Sequence, residues 1–450
     1  MEDALLTFLD PDDVQFIRVL WCDNANIIRG KAIHSQRLPE YLAHGVGISA
    51  AQQAVPVMYD VPVRESGLGS VGEIRLLPDW NTLKVLPYAS GHVRVMGDMF
   101  KDGQPWSCCP RHFLKRAIAA MAEAGLEVKA AFENEFYLLH SSPSLHASPS
   151  AIAPADNTVF ASTLSMDMHQ EIINDIAKTL ITQGIIVEQY HPESGPGQQE
   201  ISVVYVDALA AADQQIAFRE TVRAIARQHQ LIASFLPKIF AKAAGSGCHL
   251  HFSLWQEGNN ILSDPKKENK LSSIASSFIA GVLDRLPALM AITTPSPNSY
   301  RRIIPHGWSG AFRCWGFDNR EAAIRVPTNP ASPSPTHIEF KTVDAAANPY
   351  LALGAMIFAG LDGIRRHLKL SESVNADPGN LSETERQVQN IDFLPTNLGE
   401  SIELFKQDNF LLDAMGADLA KAYLAVRSAE WEAMKDWSLE EELKLLLERY

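Results

Sequence analysis

The chain has no surplus of positive charge: 53 acidic against 39 basic residues leave a formal net charge of -14 over 450 residues. Non-specific nucleic-acid binding needs a basic surface, so no nucleic-acid partner is expected, and any polyanion must be met by a local basic cluster. Metal-type cysteine spacing is missing too. Cys22, Cys108, Cys109, Cys248 and Cys314 are odd in number and form no CxxC pair, which points to reduced thiols in a cytoplasmic protein. No apolar stretch reaches the roughly 18 residues that span a bilayer, and "LALGAMIFAGL" reads as a buried helix. The acidic start "MEDALLTFLDPDD" lacks the basic region of a secretory signal. Neither a GxxxxGK[ST] loop nor a kinase-type GxGxxG occurs, and no repeat of solenoid period is present.

What is there divides in two. "DVQFIRVLWCD", "KAIH", "EIRLLPD", "TLKVLPY" and "HVRVMGDMF" alternate apolar and polar residues and predict a strand-rich first domain over residues 1–105. From "KDGQPWSCCPRHFLKRAIAAMAEAGLE" onward, helices and strands alternate in a larger domain over 106–450. A Ser/Pro/Ala-rich loop is expected over 141–156. The fold class is therefore α+β.

Charged residues stand where strands should be buried. In "AAFENEFYLL", Glu133 and Glu135 are two apart and share a face, as do His249 and His251 in "GCHLHFSL". "HPESGPGQQEIS" adds Glu193 and Glu200, and "THIEFKTVD" adds Glu339. Each could be an ordinary solvent-facing residue on a half-exposed strand. Together, on strands of buried composition, they need a compensating cation, because adjacent buried carboxylates cannot all stay charged unaided. Carboxylates with one or two imidazoles suit Mg²⁺ or Mn²⁺ better than zinc. Arg301, Arg302, Arg313, Arg320 and Arg325 gather in "NSYRRIIPHGWSGAFRCWGFDNREAAIRVP". They are either a solvated basic face or a grip on phosphate and carboxylate. Divalent metal with an arginine cluster is the equipment of phosphoryl transfer.

In order along the chain, "ENEFYLL", "EQYHPESGPGQQEIS", "AAGSGCHLHFSL", "NSYRRIIPHG", "DNREAAIRVP" and "HIEFKTVDAAANPYLAL" resemble the glutamine synthetase superfamily. The resemblance covers nearly the whole chain. It implies a β-grasp N-terminal domain and a catalytic domain built on an antiparallel sheet with flanking helices. It also implies a homo-oligomer, a hexameric ring or a dodecamer, with active sites between neighbouring subunits. ATP would activate the γ-carboxylate of glutamate as γ-glutamyl phosphate, which an amine then attacks. By position, Glu135, Glu193 and Glu200 would hold one metal, and Glu133, His249 and Glu339 the other. His251, Arg320 and Arg325 would contact the transferring phosphoryl group, and Glu188 and Ser253 the nucleotide. Arg302 would grip the α-carboxylate of the acid, and Gly245 of the "GSG" turn would also belong to the substrate site.

This sequence departs from the family pattern where the amine enters. Ser49 and Trp308 stand at the positions of the two acids that hold ammonium, so a larger organic amine facing an indole is implied. An alkylamine needs a base, for which His306 is the candidate; an aromatic amine, already neutral, needs none. On the acid side, Ala244 replaces an asparagine and Lys341 an arginine, while His337 replaces an arginine beside the adenine site. Glutamate or a related dicarboxylate is the expected acid. Three functions are compatible with this pattern: a ligase joining glutamate to an organic amine, a true ammonia-using glutamine synthetase, or a structural or regulatory homologue without turnover.

Overall fold

The computed structural model describes residues 13–140, 152–264, 266–267, 270–328 and 336–450. The N-terminal stretch "MEDALLTFLDPD" and residues 141–151 of the expected Ser/Pro/Ala-rich loop lie outside the described residues. The first sheet is built from β1 (Phe16–Cys22), β2 (Ile28–His34), β3 (Val46–Ser49), β4 (Glu73–Val85), β5 (His92–Lys101) and β6 (Gln104–Pro105). Its order is β2-β1-β5-β4-β3, with β6 on β5 and with β1 parallel to β5 at its centre. The turn between β1 and β2 is closed by Asp23, whose Oδ1 accepts the N–H groups of Ala25 (3.0 Å) and Ile27 (2.8 Å). "EIRLLPD" and "TLKV", expected as two strands, run as one, because a register shift between Asp79 and Lys84 absorbs the irregular residues without breaking the pairing with β5.

The second sheet comprises β7 (Glu127–His140), β8 (Val187–Pro192), β9 (Gln198–Val203), β10 (Val206–Asp207), β11 (Leu231–Ser234), β12 (Cys248–Gln256), β13 (Asn259–Asn260), β14 (Phe312–Phe317), β15 (Ala322–Val326), β16 (Ile338–Phe340) and β17 (Asp392–Phe393). Its main order is β17-β14-β15-β16-β12-β7-β9-β8. The α+β class holds, but the sheet is mixed rather than antiparallel throughout: β14 and β15 run parallel. Flanking helices include α1 (Pro110–Glu123), α2 (Thr163–Thr182), α3 (Ala208–Gln228), α4 (Ser273–Thr293) and α5 (Pro349–Arg365).

Helix α4 corrects one expectation. By length and composition it could cross a bilayer, with a mean hydropathy of 1.4 over its most apolar window. It instead packs on α5 through paired glycines: a Cβ at Gly281 would lie 2.3 Å from Ala359 O and 2.7 Å from Gly363 Cα. Its two charged residues leave along one edge, Arg285 to Asp362 and Asp408, and Asp284 to Arg366. The helix is apolar on nearly every side because protein covers it, as in a core helix.

The two sheets are tied at the β1–β2 turn. Asn26 donates to Ala345 O (2.7 Å), Asn348 to Asp23 O (3.0 Å), and Tyr450 Oη to Ala25 O (2.8 Å). All five cysteines are buried and unpaired.

Candidate active site

Strand register assembles the site. Glu133 stands opposite His249 across β7 and β12, and Glu135 opposite Glu200 across β7 and β9. His191 of β8 faces Glu200. On the other side His251 pairs with Glu339, and Glu339 with Arg325 of β15. Side chains two residues apart point the same way, so these rows meet on one face of the sheet.

Two groups of possible ligands result: Glu133, His249 and Glu339, and His191, Glu193 and Glu200, each with its donor atoms within 4.8 Å of one another. His249 Nδ1 is 3.1 Å from Glu133 and 3.2 Å from Glu339. His191 Nε2 is 3.0 Å from Glu193 and its Nδ1 3.7 Å from Glu200. Glu135 lies between the groups, 3.9 Å from His249, and accepts the Gly247 N–H at 2.9 Å. The role of His191 had not been anticipated. It stands two residues before Glu193 in an extended strand, so the same alternation that joined Glu133 to Glu135 would have found it.

Nearby glycines permit this crowding. A Cβ at Gly247 would sit 2.4 Å from His249 Nε2, and one at Gly195 would sit 1.9 Å from Tyr137 Oη. Gly197, at φ +72°, would bring a Cβ to 2.7 Å from Leu138 O. The glycines of "SGPGQQ" therefore serve close backbone approach.

Electrostatics reveal a shortage of positive charge in part of the cluster. Burial, then the charges of Glu133 and Glu135, push Glu200 up to about 11. Burial and the Glu193 charge push Glu135 up to about 7. Protons must take the place of a cation there, so the donor set fits divalent metal, and its oxygen-rich chemistry fits Mg²⁺ or Mn²⁺. Burial first, and then the Lys341 charge, hold His249 down at about 4, which keeps it neutral as a ligand must be. Glu339 goes the other way: burial raises it, but Lys341, His249, His251 and Arg325 together hold it well below the usual carboxylate range.

The five arginines separate. Arg301 pairs with Glu442 at 2.8 Å and Arg313 with Asp392, so these two are committed to structural ion pairs. Arg325 pairs with Glu339 in the cluster. Arg302 is buried, donates to Val343 O at 3.0 Å, and passes close to Gly245, where a Cβ would lie 2.5 Å from its Cγ. Arg320 is exposed and stacks on Trp308, its guanidinium 5.5 Å from the ring centre. The arginine-rich segment is thus two structural pairs, two buried or half-buried arginines near the carboxylates, Arg302 and Arg325, and the exposed Arg320 on Trp308.

Of the remaining predicted residues, Lys341 is buried with Nζ 2.9 Å from Glu339. His251 Nε2 is 3.1 Å from Glu133, and its ring lies against that of His337, centroids 5.2 Å apart. Ser253 is buried and accepts the Trp255 indole N–H at 2.8 Å. Glu188 is exposed at the irregular register of β8. Ala244 O accepts from Tyr137 Oη at 2.6 Å. His306 and Trp308 share an exposed loop. Ser49 lines a cavity of about 310 Å³ with Gly47, Ser70, Gly72 and Glu73, a lining that includes neither His306 nor Trp308.

Comparison with known proteins gives the same picture. The family model "Glutamine synthetase, catalytic domain" matches residues 107–445, and "Glutamine synthetase N-terminal domain" matches residues 5–106. The chain is 36% identical over 433 residues to a gamma-glutamylpolyamine synthetase, GlnA3, of Streptomyces coelicolor, covering 95% of this chain and 92% of that one. It is 34% identical over 455 residues to type-1 glutamine synthetase 1 of Dictyostelium discoideum, covering 97% and 90%. Among solved structures, a GmaS–ADP complex matches with a TM-score of 0.85 at 28% identity, covering 97% of this chain and 98% of that one.

Proposed function

This chain belongs to the glutamine synthetase family, and from that premise we propose that it is an ATP-dependent ligase joining the γ-carboxylate of glutamate to an organic amine. The observation that carries the reading is Trp308, whose exposed indole, stacked on Arg320, stands at the position where the family pattern has an ammonium-binding acid. A bound ammonium ion would need charged acceptors there, each worth about 1.5–3 kcal/mol. The relative named as a gamma-glutamylpolyamine synthetase supports the same reading.

In this proposal a γ-carboxylate oxygen attacks the terminal phosphorus of ATP, releasing ADP and leaving an acyl phosphate. The amine nitrogen then attacks the acyl carbon and phosphate departs. Glu133, His249 and Glu339 would hold one divalent ion, and Glu135, Glu193 and Glu200, joined by His191, the other. Such ions neutralise phosphate oxygens when bound. Arg320, Arg325 and His251 face the phosphoryl group. Arg302, with Gly245 giving it room, holds the acid, while Lys341 acts through Glu339. Glu188, Ser253 and His337 border the nucleotide. The assembly is a homo-oligomeric ring in which Ser49 of one copy meets the loop of the next.

Phosphate release with ATP, Mg²⁺ and glutamate across ammonia, alkylamines, polyamines and anilines tests this. Release by at least one organic amine should exceed that by ammonia about tenfold or more in kcat/KM. Ammonia matching every organic amine would instead make the chain a glutamine synthetase in the strict sense, as its Dictyostelium relative is named.

A further inference from the structure

We propose that Asp377 and His306 form the proton-accepting pair for the incoming amine, and that this amine is an alkylamine, protonated in solution, rather than an aromatic amine. The proposal rests on the ligase reading and adds its substrate class. The two residues are 71 apart in sequence, yet His306 Nδ1 lies 3.0 Å from Asp377 Oδ2. A carboxylate only accepts, so the hydrogen belongs on Nδ1 and Nε2 keeps its lone pair, the tautomer a base requires. Asp377 is itself held: Oδ1 accepts the Gly379 N–H at 2.8 Å, and Oδ2 accepts from Asn380 at 3.3 Å. Gly379 leaves the working edge of the ring clear, since a Cβ there would lie 2.6 Å from His306 Cε1 and 3.0 Å from Nε2. The His306 side chain is 55% exposed, open to a substrate.

Two anchors tie the loop that carries the pair to the strand segments that bear Arg325 and Lys341. His306 and Trp308 both have left-handed backbone, at φ 59° and 51°, which costs non-glycine residues about 1 kcal/mol each. The buried Glu321 offsets that cost by accepting both of their N–H groups, at 3.0 and 2.8 Å. Glu321 immediately precedes β15, the strand that carries Arg325, and Arg325 pairs with Glu339. At the far end of the loop, Gly310 packs on Lys341, where a Cβ would lie 3.1 Å from the lysine Cβ, and Lys341 also reaches Glu339. Of the charged groups on the adjoining segments, Asp377 bonds the imidazole, Arg320 stacks on Trp308, and Arg386 donates to the carbonyls of Pro378 and Leu381. Glu321 reaches only the backbone.

The step balances. An alkylammonium gives one proton to His306 Nε2, and its freed lone pair forms the C–N bond at the acyl carbon. The C–O bond to phosphate breaks, phosphate leaves with the electron pair, and the second proton lost from nitrogen goes with it. An aromatic amine is already neutral at pH 7 and would leave the pair without a task.

The test compares an alkylamine with hydroxylamine, which is largely neutral at pH 7, in full-length Asp377→Asn and His306→Gln proteins. The ratio of kcat/KM for alkylamine to that for hydroxylamine should fall about tenfold or more in both, with the KM for glutamate changed less than about twofold. Asp377→Glu should recover part of the ratio. His306→Gln, at an exposed position, keeps the test decisive if Asp377→Asn disturbs the 378–380 turn. Equal losses for the two amines, or a parent protein that prefers anilines, would overturn the pair while leaving the ligase reading intact. No release with any amine in the parent would remove that reading and the pair with it.

Discussion

Glu200 is the residue in which the cost of this site is most visible. Its carboxyl is buried beside those of Glu133, Glu135 and Glu193, and its value is raised to about 11 from an ordinary 4.5. A carboxyl raised on folding contributes stability that is present below about pH 4.5 and lost as pH rises towards its folded value. Metal-free protein at pH 8 therefore carries a penalty that Glu200→Gln removes. The variant should melt higher than the parent without metal, by on the order of 1 kcal/mol or more, and should lose most of the parent's stabilisation by Mg²⁺ or Mn²⁺. Thermal melts with and without the ion check both halves. His191→Ala should weaken metal binding about 10–100-fold through the freed Glu193 and Glu200, read by titration with Mn²⁺.

At the scale of elements, the site depends on contacts that hold loops to strands. Asp156 accepts from Thr158, Ser165, His169 and the Gly197 N–H, joining the start of α2 to the turn between Glu193 and Glu200. Burial opposes its charge, but these hydrogen bonds win and lower it to about 2. A carboxylate depressed on folding stabilises above its unfolded value of about 4, and that contribution is lost as pH falls through about 2. Asp156→Asn should cost about 1–3 kcal/mol at pH 7 in urea unfolding, with the difference from the parent shrinking below pH 4. Helices α4 and α5 meet at Gly281 and Gly363, so Gly281→Val should cost about 3 kcal/mol or more by forcing the helices apart. A denaturation midpoint matching that of the parent would contradict the close approach.

Across the whole molecule, Ser49 and Trp308 lie in separate parts of one chain, and the proposed ring brings them together between copies. A Ser49→Cys/Trp308→Cys protein should form reducible cross-linked species on oxidation, while either single variant should not. The five native thiols are buried and give little background. Gel filtration of the parent should show a ring rather than a single chain. A double variant that forms no cross-linked species would show that the assembly does not bring the two residues together.

The sequence by itself determined the local chemistry. Alternation in "FENEF" and "CHLHF" placed acids and imidazoles on shared faces because strand geometry has a period of two, and the ordered motifs carried the family. Apolar composition alone did not settle α4, which needed its partner helix to be seen as a core element. Only the tertiary structure separated the arginines: Arg301 and Arg313 resemble Arg325 in sequence, and their partners Glu442 and Asp392 come from distant segments, while Arg325 pairs with Glu339 of the cluster. The same holds for His191 closing on Glu200 through register, and for Asp377 meeting His306. Such pairings depend on how the chain returns upon itself, and no local pattern of residues encodes that return.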